Sequence, residues 1–368
     1  MFIGPVEISR RGALTLIGLG ALVSGLTACS KPAVVLPPAA PSADELSIDR
    51  AVQAARQIRS NALRLAGSEP KLASLLNRVA AAQLAQLRAL GAEPPAMATP
   101  SATPSATASG DAANGAVEYT PAGLISVEWA AAREALRDGE AADPAFAVLL
   151  CRIAASRAAD ADLLTAALGR SHRGALTPAK ALDPGPTAAT PTTDIPATAA
   201  PSSVPLGTDD PATSDTTGTP AVTALNRLLA GEHAAVFAYP LVVARIGGRR
   251  NLAEAIWEAH RNERDQLTLR LLAENAEPAT AEPAYEVGTA PTTPALAAAL
   301  AAKVERGLAG LAADLIAVAT DEDRALGADQ LVLAARRVAR WTGRPIALPG
   351  LTVSASATAT PTAQPTAT

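Results

Sequence analysis

Aromatic side chains are almost missing from this chain: its 368 residues include three each of Phe, Tyr and Trp. Aromatic and β-branched residues suit a pleated surface, whereas Ala, the best helix former, is the largest part of the 49% hydrophobic fraction. A mainly β architecture is therefore excluded. Cysteine is scarcer still. Two residues, Cys29 and Cys151, cannot build a disulfide framework or a Cys-rich zinc or iron–sulfur site. Neither sign of charge dominates, with 31 Lys and Arg against 35 Asp and Glu and a net charge of −4. With no basic block, nucleic acid is not an expected partner. Also missing are a nucleophile–base pair, a phosphate-cradling loop and a Gly-rich dinucleotide motif in a βα context, so no reaction is named.

The N-terminus carries an address. Arg10 and Arg11 precede an uncharged apolar run over 12–28, too short and too Gly-rich for a comfortable membrane span. The run ends Leu26-Thr27-Ala28-Cys29, which resembles the bacterial lipobox. That resemblance implies a signal peptide over 1–28, cleavage before Cys29, and a lipid on its thiol that anchors the protein to the outer face of the cell membrane. Ser9-Arg10-Arg11-Gly12-Ala13-Leu14 resembles the twin-arginine export motif with Ala13 in place of Phe, and an ordinary secretory n-region reads equally well. Cys151, among Leu149, Leu150 and Ile153, reads as a small buried hydrophobe.

Four stretches rich in Pro, Thr, Ser and Ala cannot build a core: 30–42, 93–118, 170–218 and 352–368. They read as spacers and divide the rest into an N-terminal helical module, 43–169, and a C-terminal one, 219–351. Helix starts are well marked. Ser42 with Glu45 fits a capping box, and Thr120-Pro121, Asp143-Pro144, Thr219-Pro220 and Thr293-Pro294 each place an N-cap oxygen before a proline. Gly91, Gly139, Gly169 and Gly247 stand where helices should stop. These signals predict helices over 43–66, 70–90, 121–138 and 144–168, then 220–246, 250–274, 294–319 and 321–342.

Apolar stripes at three- and four-residue spacing support them, as in Ile48, Val52, Ala55, Ile58, Ala62 and Leu65. Each module is then two helical hairpins joined by a longer connection, 91–119 and 275–293. The fold class is all-α, two four-helix bundles, and one long crossover is the ferritin-like variant of that bundle. Glu128, Trp129 and Phe146 read as packing and surface in the first. Pro240 should free the Val236 carbonyl and bend its helix. Arg249-Arg250 and Arg336-Arg337 read as solvated faces.

The second module holds Leu225-Asn226-Arg227 running to Glu232-His233 and Phe237-Ala238-Tyr239, then Glu258-Ala259-His260-Arg261-Asn262-Glu263-Arg264-Asp265, and finally Trp341 before Leu348-Pro349-Gly350-Leu351. This series resembles a bacterial ferritin-like domain family of unknown function (domain of unknown function 4439) over about 219–351. The resemblance implies a fold and no activity.

Glu232 lies in the apolar stripe of one helix, and His260 and Glu263 in that of the next. Buried carboxylates need partners, so the three should meet inside the bundle. One reading is a metal site. A di-iron centre takes a single Glu from each of two helices and Glu-x-x-His from each of the other two. Glu232 and Glu305 suit the first role. The paired motifs fail, because helix two reads His260-x-x-Glu263 with Trp257 where Glu would stand, and the last helix supplies no ligand. A single iron or manganese ion on Glu232, His260 and Glu263, with His233 nearby, is the reduced form. The favoured reading is an ion-pair cluster, in which Arg324, on the inward face with Ala328, Leu331 and Ala335, lies between the carboxylates and no cofactor is bound. The whole chain then reads as a lipid-anchored envelope protein with a non-catalytic binding or scaffold role, its partner a cell-envelope protein or a small apolar ligand. The alternative is a metal-dependent oxidoreductase.

Overall fold

The computed structural model describes residues 40–92, 120–170, 204–205 and 218–351. Cys29, the signal-peptide reading, the insert 93–118, the tail 352–368 and nearly all of the spacers 30–42 and 170–218 lie outside them. The described chain is all-α apart from one short strand pair. The first four helices are α1 (Ala43–Ser68), α2 (Ala73–Ala89), α3 (Pro121–Ala141) and α4 (Pro144–Ala167). The second four are α5 (Pro220–Arg245), α6 (Arg250–Ala273), α7 (Pro294–Val318) and α8 (Asp321–Thr342). Strand β1 (Val204–Pro205) pairs in parallel with β2 (Tyr285–Glu286), which lies in the connection between α6 and α7. Among the described residues no helix is long and apolar enough to cross a membrane.

Local chemistry accounts for the helix ends. Ser42 and Glu45 make the reciprocal capping box, and the hydroxyls of Thr120, Thr219 and Thr293 accept from the amides of Gly123, Val222 and Leu296. Asp143 makes no such bond, although Pro144 still begins α4. Gly139 does not stop α3. It lies inside the helix because a Cβ there would stand 2.7 Å from Cys151 Sγ, so the glycine lets α3 and α4 approach closely. Burial pushes the Cys151 thiol up to about 12, which leaves it a neutral packing group.

Pro240 lies in mid-helix, and the carbonyl it would otherwise satisfy, that of Val236, accepts instead from the Trp257 indole at 3.0 Å. One backbone defect in α5 is thus repaired by a side chain of α6.

The two sets of four helices are separate in sequence and continuous in space. Buried residues of both belong to one hydrophobic cluster, and α4 packs against α8 and α7 as well as α3. Helix α4 is therefore buried nearly all round from Leu150 to Thr165. Polar anchors fix this contact. Arg336 of α8 holds Asp162 of α4 at 2.8 Å, and its guanidinium lies 5.2 Å from the centre of the Trp129 ring. Arg324 donates to the carbonyls of Ala319, Glu140 and Ala142, at the C-terminal ends of α7 and α3, where helix carbonyls lack intrahelical partners. Arg152 donates to the Gly350 carbonyl and Gln86 to that of Ala347. Arg336 and Arg337 are thus buried, against the solvated reading. Arg249 also caps a helix, donating to the carbonyls of Arg340 and Trp341.

Candidate functional site

Four helices of the second bundle converge on one imidazole. His260 of α6 is fully buried, with Nδ1 2.8 Å from Glu232 of α5 and 3.4 Å from Glu263 of its own helix. Its Nε2 lies 3.1 Å from Glu305 of α7. Helix α8 supplies Arg337, whose two terminal nitrogens grip both oxygens of Glu263 at 2.6 and 3.0 Å. The same guanidinium is 3.8 Å from Glu305. Tyr239 of α5 donates its hydroxyl to Glu305 and accepts from the Trp341 indole at 3.2 Å.

The sequence-predicted trio of Glu232, His260 and Glu263 is therefore brought together, and Glu305 joins it. Arg324 and His233 do not. Arg324 does point inward, but it lies in the first turn of α8. Thirteen residues of helix, roughly 20 Å, separate it from the level of Arg337. His233 turns out of the cluster to the Ala279 carbonyl at 3.1 Å. Arg337 was missed because its neighbour Arg336 suggested a solvated basic edge. Its own face, Gln330, Ala334, Arg337 and Trp341, is buried throughout and runs at helical spacing to a tryptophan.

Electrostatics decide what the cluster holds. Burial alone would make His260 harder to charge, but the carboxylates of Glu232 and Glu305 overcome it and hold the pKa well above the ordinary histidine value. The imidazolium then donates from both nitrogens and offers no lone pair. Glu263 is likewise pulled, against its burial, down to about 2 by Arg337 and His260. Glu232 goes the other way, raised to about 7 by burial and by the charge of Glu263. Two basic side chains, His260 and Arg337, thus stand against three carboxyl groups.

The di-iron centre of a ferritin-like bundle does not fit here. Ligand atoms of Glu232, His260 and Glu263 lie within 4.8 Å of one another, but both Glu263 oxygens are bonded to a guanidinium. A metal ion at that point would face Arg337 at close range.

These shifts set a pH dependence. Glu232 takes its proton at about 7 when folded and at 4.5 otherwise, so stability falls as pH rises through that window. His260 has the same sign: its contribution is complete below 6.5 and is lost as pH rises through its higher folded pKa. Glu263 acts oppositely, losing its contribution as pH falls from 4.5 towards 2. The thermal midpoint should peak in mild acid and decline above neutrality. Glu232→Gln should flatten the slope between pH 4.5 and 7; a midpoint that climbs steadily to pH 9 contradicts the assignment.

A second feature lies between α7, the end of α8 and the segment that follows it. A groove of about 810 Å³ is lined by Ala295, Ala298, Ala302, Ile346 and Leu348, with Trp341 at its floor. Arg306 and Arg344 stand exposed at its edge.

Residues 224–353 match the model of a family described as a domain of unknown function, DUF4439. The match falls on the second bundle and covers about a third of the chain. The match takes in α5 from Ala224 through α8 and the segment after it, so every member of the His260 cluster lies inside the DUF4439 domain. Among solved structures, a conserved hypothetical protein from Mycobacterium tuberculosis is similar at 28% identity, over 34% of this chain and 97% of its own, with a TM-score of 0.33. Comparison with curated proteins gives no match.

Proposed function

We propose that this is a lipid-anchored protein of the cell envelope whose DUF4439 domain is a ferritin-like bundle without its metal chemistry, serving as a non-catalytic binding module. One observation carries the second half: Arg337 occupies both oxygens of Glu263 while His260 is bonded on each side, so the positions that would bind iron are closed by the protein's own cations. The lipobox ending at Cys29 supports the anchor. The α7 groove offers a place for a small apolar ligand, and Arg306 and Arg344 suit an acidic end on it.

Two measurements test this. Cys29→Ala should abolish the lipid mass and release the protein from the membrane fraction, and an unchanged mass and fraction would sink the anchor. For the bundle, the metal content of the full chain should be the same in Glu232→Gln as in the parent. Loss of one ion per chain in a variant whose helical circular dichroism is unchanged would restore the metal-dependent reading.

A further inference from the structure

The first bundle contains a second buried polar cluster with the opposite character. Glu128 of α3, Asp160 of α4, and Gln83 and Gln86 of α2 are all fully buried. Their levels in the bundle follow from three contacts. Arg50, near the start of α1, bonds Asp138, near the end of α3, so α1 begins where α3 ends. The hairpins α1–α2 and α3–α4 then make α2 antiparallel to α4. Gln86 bonds Ser156 at 2.9 Å, and Arg157 bonds the Ala131 carbonyl at 3.3 Å. One turn further from that end, Gln83, Glu128 and Asp160 come to the same level of the bundle, and the charge of Glu128 acts on Asp160.

Six oxygens in this region are buried without a hydrogen-bond partner: both of Glu128, both of Asp160, and the amide oxygens of Gln83 and Gln86. Buried donors, Gln83 Nε2 and Arg157 Nε, are also without partners here, but neither of them bonds a carboxylate oxygen, and buried carboxylates normally have partners. Arg157 opposes the rise of both carboxyls through its charge, yet it bonds neither of them. Its two terminal nitrogens are committed to the carbonyls of Ala131 and Ala51. Comparison with the second bundle makes the point sharper. Glu128 and Asp160 have the same spacing in the chain as Glu305 and Arg337. Where the second bundle places a guanidinium beside its glutamate, the first has another carboxylate.

We infer that the Glu128–Asp160–Gln83 layer, with Gln86 beside it, is a site for one hard divalent cation, of the class of calcium, magnesium or manganese. The donor set is entirely oxygen, carboxylate and carboxamide, and lacks the nitrogen and sulfur ligands that favour zinc or iron. The ion supplies the positive charge that Arg337 supplies in the second bundle, which makes the site structural. Burial raises the Glu128 carboxyl to about 8 even with Arg157 opposing it, and raises Asp160 as well, with the Glu128 charge adding to the effect. A dication removes that penalty.

The test uses the full chain, stripped with chelator and titrated with manganese, calcium and magnesium chlorides. One manganese per chain should bind, read by electron paramagnetic resonance, and each of the three ions that binds should raise the thermal midpoint. Asp160→Asn and Glu128→Gln should each weaken binding at least tenfold while Glu232→Gln leaves it unchanged. Stripped protein that takes up none of the three ions at millimolar concentration, with an unmoved midpoint, overturns the inference. So does binding that survives Asp160→Asn. Loss of an ion in Glu232→Gln instead would count against the closed His260 cluster.

Discussion

Arg337→Ala should cost about 3–5 kcal/mol of unfolding free energy, the largest effect expected of any single polar substitution in the second bundle. The guanidinium is buried, grips Glu263 through two hydrogen bonds and sits near Glu305. Without it, Glu263 is left ionised in the core with only His260 beside it, and water has no ready route to replace the lost donors. The loss should be recovered in large part when the stranded partner is removed too, because an apolar pair of similar volume needs no compensation. Urea unfolding of Arg337→Met, Glu263→Leu and the double variant makes the cycle. Each single change should be severely destabilising and the double change milder than their sum. A loss under 1 kcal/mol for Arg337→Met would mean that the cluster is hydrated and open, and the non-metal reading of the bundle would lose its support.

Helix positions were legible because they depend on neighbours in the chain. Thr-Pro pairs at 219–220 and 293–294, and the Ser42–Glu45 box, are local devices, and the helices begin where those devices stand. Convergence of Glu232 with His260 and Glu263 was legible too, since a carboxylate in an apolar stripe must find a partner. Which cation answers it was not, because face and level are different coordinates. Arg324 has the right face and the wrong level, and only the docking of α8 along α5–α7 distinguishes it from Arg337. The contact between the two bundles was hidden for a related reason. Asp162, Arg336 and Arg340 look like surface charges until α4 lies against α8, where Arg336 and Arg340 flank one carboxylate. Gln83 repeats at helical spacing with Leu76, Val79 and Leu87, but an isolated polar residue in such a stripe gives no sign that Glu128 and Asp160 share its layer.

Gly350→Ala should show how much the segment after α8 contributes to joining the bundles. Gly350 has φ 73°, in the left-handed region where an added Cβ costs about 1–2 kcal/mol. It also packs against backbone: a Cβ would stand 2.8 Å from the Ala309 carbonyl carbon of α7, which cannot swing aside as a side chain can. Strain and overpacking together should amount to about 2–5 kcal/mol if the segment stays in place. The chain has a cheaper response, which is to lift the segment off α7. That would break the Arg152 bond to the Gly350 carbonyl and the Gln86 bond to the Ala347 carbonyl, and would open the groove floored by Trp341. The observed loss should therefore be capped by what those contacts supply, with fast amide exchange appearing across 346–351 before global unfolding. Gly343→Ala is the matched control, since its φ is 65° but nothing lies within 4 Å of an added Cβ. It should cost only the conformational part, about 1 kcal/mol, and leave exchange at 346–351 unchanged. Equal effects from the two substitutions would show that backbone conformation alone matters at both, and that the close contact with α7 does not hold the segment.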